Sequence, residues 1–308
     1  RFAWLEERVG RHARRGTAKL DPIVRAHLAL AAYQIFALTR VPAFAAVSEA
    51  VGAIRAVRGA QVAGFANAVL RKLAAEPRPS EEQLARAALS STDPALREAI
   101  VRSIGEEGAL ALLGHDHDGP RKAPPLGLRV EDASARARWL ARLREARPNA
   151  TFEEGRVSPH AILAFGPGKL VELPGYEEGA WTPQEEGSQL VALALGARPG
   201  EVVLDACAGR GNKSGLLARA VGEGGAVDVA DLHPKKLDRL ARELERLHLR
   251  PRRALAVDWS KGAGGLAAEY DRVLVDAPCS GTGTLRRRPE LALRRLGGDV
   301  AELARVQR

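Results

Sequence analysis

The segment Asp276-Ala277-Pro278-Cys279-Ser280-Gly281-Thr282-Gly283 sets an acid and a thiol three positions apart. An ionised thiol is a nucleophile and a nearby carboxyl can hold or move a proton, so Cys279 and Asp276 are candidate catalytic residues. Pro278 stiffens the link between them, and Gly281 and Gly283 leave the next loop open to a ligand. Without such a context a cysteine is more often a buried structural residue. Arg286, Arg287 and Arg288, with Arg294 and Arg295 beyond, form a basic stripe suited to phosphate contacts. A solvated charged face is the competing reading.

A second candidate lies upstream. Val203-Leu204-Asp205 reads as the end of a buried strand, and Cys207-Ala208-Gly209-Arg210-Gly211-Asn212-Lys213 as a glycine-bearing turn into a helix. Glycines allow close backbone approach to a ligand, and a helix start offers free amides. The spelling excludes two phosphate loops. A P-loop fails because Cys207 takes the first glycine's place and Asn212 precedes Lys213-Ser214. A dinucleotide fingerprint fails because Ser214 stands where the third glycine belongs. Asp231 follows at the end of the next expected strand, where a carboxylate accepts ribose hydroxyls. Asp258 ends the strand after that, beside an expected adenine edge. Each acid alone is more often a helix N-cap; three in register after the glycine turn, Asp231, Asp258 and Asp276, favour a ligand, and Asp205 completes a row of acids at four successive strand ends. A cysteine and an acid at a strand end suit parts of one demanding task, methylation of cytosine C5. That carbon is a poor nucleophile, so a thiolate must add at C6, methyl transfer follows, and loss of the C5 proton expels the thiolate.

These residues need a scaffold. From about residue 185 the pattern predicts strands at 201–205, 226–230, 254–257 and 272–275, with helices at 214–221 and 234–247 between them. Alternating strands and helices imply a parallel sheet whose ligands sit at the carboxyl ends of the strands. Residues 1 to 118 read as all-helical, with a start at Asp21-Pro22 and apolar positions Ile23, Leu28, Leu30, Tyr33 and Ile35. Further helices are expected at 44–57, 61–73, 80–89 and 94–113. Residues 119–183 form a small α+β module, with strands expected at 126–130, 152–157 and 162–173 and a helix at 133–147. His115-x-His117 is read as surface loop, with no metal site.

Lysine and arginine exceed acids by 47 to 38, giving a formal charge of +9 that suits a polyanionic partner. An arginine-rich genome would produce the same balance. Two cysteines give no disulfide framework and point to a reducing, cytoplasmic setting. No stretch is apolar and long enough for a membrane span, and no signal peptide is visible. The chain starts at Arg1, contains no methionine and ends within an expected helix at 299–308, so sequence is expected to be missing at both ends.

The segments Asp276–Gly283 and Arg286–Leu291, with the loop Asp205–Lys213, resemble the Sun/RsmB family of bacterial 16S ribosomal RNA cytosine-C5 methyltransferases, in the NOP2/Sun group. Leu173–Tyr176, Gln184–Ser188 and the N-terminal Ala63–Arg71, similar to NusB-type RNA-binding domains, extend the resemblance over nearly the whole chain. It implies a multidomain protein: a NusB-like all-α domain (1–118), the α+β module (119–183) and a Rossmann-like α/β methyltransferase domain (184–308), incomplete at its C-terminus. It implies S-adenosylmethionine bound by Cys207–Lys213, Asp231, Asp258 and Asp276, and small-subunit ribosomal RNA held in part by Arg286–Arg288. By the resemblance, Cys279 assists release of the methylated base, Asp276 also holds the cytosine, and the attacking cysteine lies in a later Thr-Cys-Ser segment. Arg210-Gly211-Asn212 replaces the family's usual Pro-Gly-Gly, and Glu131 stands where Asn is common. A monomer is expected. The rivals are a non-catalytic RNA-binding protein with a degenerate cofactor loop, a methyltransferase acting on protein or an exocyclic amine, and a nucleotide hydrolase, which the failed P-loop disfavours.

Overall fold

The helix Pro22–Ala37 begins where the sequence supplies a cap. Asp21 accepts from the amides of Ile23 (3.0 Å) and Val24 (3.3 Å), and Pro22 occupies the first helical position. The computed structural model describes all residues except 1, 14–15, 114–123, 265, 267–268 and 294–296. His115, His117, Arg294 and Arg295 therefore lie outside the described residues. The chain divides into two compact units, 1–123 with 280–302 and 124–279 with 303–308.

The first unit holds α1 (Phe2–His12), α2 (Pro22–Ala37), α3 (Ala43–Ala74), α4 (Glu81–Ser90) and α5 (Pro94–Leu113). Ser80 and Gln83 cap α4 reciprocally. The break expected between 57 and 61 falls at Gly59, whose φ of 81° interrupts α3 without ending it. The buried face of α2 runs through Val24, Leu28, Ala31, Ala32 and Phe36 and packs on Ile54, Leu70 and Leu73 of α3. Ile23 and Leu30, expected on that face, are 41% and 56% exposed. The 3.6-residue period rotates them away once Val24 and Leu28 define the seam. A smaller cluster joins Leu96 to Leu285 and Leu291 of the 280–302 segment, where the Asp93 amide donates to the Ala292 carbonyl (2.8 Å).

The second unit contains two sheets. Its elements run β1 (Leu126–Val130), α6 (Arg136–Ala146), β2 (Thr151–Glu154), β3 (Ala161–Phe165), β4 (Trp181–Pro183), α7 (Glu186–Ala194), β5 (Val202–Asp205), α8 (Asn212–Val221), β6 (Ala226–Asp231), α9 (Pro234–Arg246), β7 (Arg253–Ala256) and β8 (Arg272–Leu274). A final helix, α10 (Gly297–Gln307), spans the boundary residue 302. The antiparallel sheet has order β2-β3-β1-β4. Two expected strands are shorter than the pattern suggested. β2 stops at Glu154; beyond it Gly155 lies so close to β3 that an added Cβ would be 2.3 Å from the Ala161 Cβ. β3 stops at Phe165, because Gly166 and Gly168 take φ of 62° and 74° around Pro167; the rest of the 162–173 stretch contains a 3-10 turn at Leu170–Glu172. The edge strand β4 was not anticipated; three residues are too few for a period.

The other sheet is parallel, with order β7-β6-β5-β8. The chain runs outward from β5 to β7 and returns to the other side of β5 for β8, so the strand order reverses between β5 and β8. A crevice opens at the carboxyl ends of strands where that reversal occurs. Asp205 and Asp231 end β5 and β6 as expected; Asp258 and Asp276 lie two residues past the ends of β7 and β8.

A buried cation joins the two sheets. Arg129 of β1 is fully buried and donates to Glu131, to the Gln184 side chain (2.8 Å) and to the Asn212 carbonyl in the first turn of α8. Burial lowers the guanidinium pKa, and the charge of Glu131 opposes that shift. Glu131 also accepts from Arg219 of α8 (3.1 Å). Replacing Arg129 with Met should lower the stability of this unit by about 3 kcal/mol, read as a reduced urea midpoint. An unchanged midpoint would show that the network contributes nothing to cohesion.

Candidate functional site

The loop after β5 is shaped by two glycines. Gly209 and Gly211 have φ of 59° and 84°, and a Cβ at Gly211 would lie 2.7 Å from Leu240 of α9. Gly211 precedes α8 with no side-chain cap, so the first-turn amides remain available to an anion. Together with Ser188, Asp205 and Asp276, the loop residues Cys207, Ala208, Gly209, Arg210, Asn212 and Lys213 bound a cavity of about 170 Å³.

Its charges are arranged in opposition. The Lys213 ammonium contacts the Asp276 carboxylate at 2.5 Å, tying the α8 turn to the segment after β8. Beneath them Asp205 is 1% exposed. One of its oxygens accepts from the Ser214 hydroxyl (2.7 Å), while the other, Oδ1, is buried with no well-aligned hydrogen bond among the described residues, the Cys207 amide making only a weak approach to the carboxyl. Burial drives the Asp205 pKa up to about 6, against the Ser214 hydrogen bond and the Lys213 charge. Such an acceptor lining a cavity fits a ligand that brings its own donor. The Cys207 thiol is raised by burial and then by the negative charges of Asp205, Asp231 and Asp276, which disfavours its thiolate. Cys279 is exposed.

The other sequence-selected residues fall into three places. Asp231 is buried at the end of β6, where it accepts from the Gly209 amide (3.1 Å) and the His233 amide (2.9 Å) and faces Lys236 at 3.3 Å. It borders the loop without lining the cavity. Asp258 caps the 3-10 turn Trp259–Lys261 through Ser260 and pairs with Lys261 at 3.1 Å. Its pKa is lowered by the Ser260 hydrogen bonds and Lys261; it too is absent from the cavity lining. Arg286, Arg287 and Arg288 belong to the first unit, where Arg286 and Arg288 are exposed and Arg288 faces Glu290 at 3.1 Å. The Asn212 side chain, one of the two bulkier replacements in the loop, donates to the Pro183 carbonyl (3.1 Å); Arg210 is exposed at the rim.

Sequence reasoning missed four contributors. Asp205 was noted only as a strand end. Ser188, at the end of the quoted Gln184–Ser188 segment, lines the cavity and accepts from Gln184 (3.3 Å). Arg129 supports the α8 turn from below. Trp259 donates its indole N–H to the Ala206 carbonyl at the loop's start (2.7 Å). An aromatic directly after Asp258 was the available signal for it. Among the described residues no cluster of three or more His, Cys, Asp or Glu side chains is placed to hold a metal, and no helix is long and apolar enough to cross a membrane.

A parallel sheet with a glycine turn at its reversal point and acids at its strand ends is an α/β arrangement whose crevice suits a nucleoside, here carried with a helical domain. The sequence model of the 16S rRNA methyltransferase RsmB/F family matches residues 192–308, and that of the NusB family matches residues 3–75. Among the relatives, a ribosomal RNA small subunit methyltransferase B of Pseudomonas putida is 34% identical over 304 residues, 93% of this chain and 65% of its own length. A probable counterpart in Bacillus subtilis is 33% identical over 297 residues, 94% and 65%. A putative methyltransferase of Mycobacterium tuberculosis is 35% identical over 326 residues, 99% and 67%. The chain belongs to the RsmB/F methyltransferase family and spans about 65% of the length of the first two of these relatives. In fold it is similar to PH0851 (TM-score 0.73, 21% identity, 99% of this chain and 68% of that one) and to NSun6 from Pyrococcus horikoshii solved with SFG (TM-score 0.59, 17%, 71% and 78%).

The Asp205 shift has a testable sign. Its folded pKa lies above the unfolded 3.8, so it contributes stability when protonated, fully below pH 3.8, and that contribution is lost as pH rises through about 6. Asp205→Asn should therefore gain on the wild type by about 2–3 kcal/mol between about pH 4 and pH 7, measured by denaturant unfolding. Parallel pH–stability curves would refute a buried, underpaired carboxylate.

Proposed function

We propose that this chain carries the cofactor site and RNA-binding surfaces of an enzyme that moves a methyl group from S-adenosylmethionine to C5 of a cytosine in small-subunit ribosomal RNA. The observation that carries the reading is the cavity at the β5/β8 reversal, with Lys213 at its mouth and the unpartnered Asp205 Oδ1 in its floor. The tail of S-adenosylmethionine has one carboxylate and one ammonium, and the donors and acceptors here match both. Its sulfonium supplies an electrophilic methyl group when bound.

The residues divide the work by charge. Lys213 and the amides at the start of α8 would hold the carboxylate. Asp205 Oδ1 would accept from the ammonium, which removes the cost of an unpaired buried acceptor. Asp231 would accept from the ribose hydroxyls while its Gly209 contact fixes the loop, and Asp258 would stand toward the adenine. Asp276, half-exposed and already anchored by Lys213, would hold the cytosine ring. Cys279 would assist expulsion of the attacking thiolate once methylation is complete. Cys207 suits neither thiol role, because its surroundings hold it protonated. Arg286, Arg287 and Arg288 would contact phosphates, and the base would leave its stack to reach the cavity.

Calorimetric titration with S-adenosylmethionine should give saturable binding to the wild type, weakened about tenfold or more by Lys213→Ala or Asp231→Ala. No binding by folded protein would leave the non-catalytic RNA-binding reading in its place. For the reaction, the gene product as expressed in its own organism should leave 5-methylcytidine in nuclease digests of 16S ribosomal RNA. Methyl groups on an exocyclic amine or on protein would overturn the assignment of C5.

A further inference from the structure

The two halves of α3 meet across Gly59, and together they bound a groove of about 620 Å³. Phe44, Ser48, Gly52 and Arg55 line it from the first half, Asn67 and Arg71 from the second. Steps of three and four residues place each set along one helix face. Phe44 is 77% exposed, more than any other large apolar side chain described. A ring so exposed offers a face on which a planar group can stack. Neither the Arg55 nor the Arg71 guanidinium has a hydrogen-bond or ion-pair partner among the described residues, and no carboxylate lines the groove. Gly52 keeps the floor open, since an added Cβ there would meet no atom within 4 Å.

We propose that this groove is a second RNA site, which takes an unpaired nucleotide of a single-stranded segment. The base stacks on Phe44, the flanking phosphates lie on Arg55 and Arg71, and the Asn67 amide meets the base edge. The proposal rests on the RNA methyltransferase reading, which supplies the polymer. The groove's own chemistry selects the unpaired form. A base has two π-faces that an aromatic ring can cover, but in a duplex both are stacked on neighbouring bases. Two unpaired guanidinium groups beside that ring suit a phosphate backbone. A protein partner would need an acid opposite each of them.

The test is fluorescence anisotropy with a labelled single-stranded RNA of about 12 nucleotides, within the span such sites cover. Phe44→Ala should weaken binding about tenfold, and Phe44→Trp should restore it. Gly52→Glu, which fills the groove and adds a negative charge without touching the core, should weaken it at least as much. Duplex RNA of equal length should be indifferent to Phe44→Ala. A 4-thiouridine-bearing strand should cross-link to the peptide containing Phe44. S-adenosylmethionine affinity, measured in the same variants, should stay at the wild-type value. Loss of RNA binding in the variants of a chain that binds no S-adenosylmethionine would keep the groove and sink the methyltransferase reading. Equal RNA affinity in wild type, Phe44→Ala and Gly52→Glu, or no RNA binding at all, overturns the groove whatever the cofactor does. So does a dimer that Phe44→Ala splits while RNA affinity holds, which would make a second copy the occupant.

Discussion

A carboxylate buried at the end of a central strand, with one oxygen satisfied and one not, is the constraint around which the second unit is organised. Asp205 ends β5 at the strand-order reversal, where the sheet leaves a crevice. Its burial is unfavourable in the free protein, as its raised pKa shows. The fold tolerates that cost because Ser214 satisfies one oxygen and Lys213 places a positive charge nearby. A site that already holds an unmet acceptor rejects ligands lacking a donor and rewards those that bring one. Stability given up at such a position is a common companion of binding.

Everything that holds the α8 turn in place serves that carboxylate. Gly211 provides a left-handed residue where Leu240 leaves no room for a side chain. Arg129 reaches from the antiparallel sheet to the Asn212 carbonyl, so the small α+β module acts as a buttress for the parallel sheet. Trp259 fixes Ala206 at the other end of the loop, and Asp231 fixes Gly209 at its middle. The loop is thereby held at three points before any ligand arrives, which reduces the ordering a ligand must impose.

Much of this was legible in the sequence, for physical reasons that also mark where legibility ended. The parallel sheet was readable because its strands are short runs followed by acids: β5 and β6 are buried and end in Asp205 and Asp231, and Asp258 and Asp276 stand two residues past β7 and β8. The Gly59 break was readable because a glycine divides two amphipathic stretches. The partnering of side chains was not. Arg129 looks like an ordinary strand arginine until tertiary structure brings the Asn212 carbonyl and Gln184 to it. Asp205 and Asp258 look alike as strand-end acids, yet one is buried below the cavity and the other is a partly exposed cap, because β5 is an interior strand and β7 an edge strand. Ile23 and Leu30 were misassigned because an alanine-rich helix such as α2 lets small residues form the seam, and alanines carry a weak periodic signal.

The central claim is that the unpaired oxygen of Asp205 waits for the ammonium of S-adenosylmethionine. The most direct measurement follows the Asp205 carboxyl carbon by NMR through a pH titration, with and without the cofactor. The free protein should titrate at about 6, and saturation with S-adenosylmethionine should move that midpoint clearly downward as a cation comes to rest beside the carboxylate. A midpoint that the cofactor leaves unmoved, despite saturable binding, would contradict the account and place the cofactor's tail elsewhere.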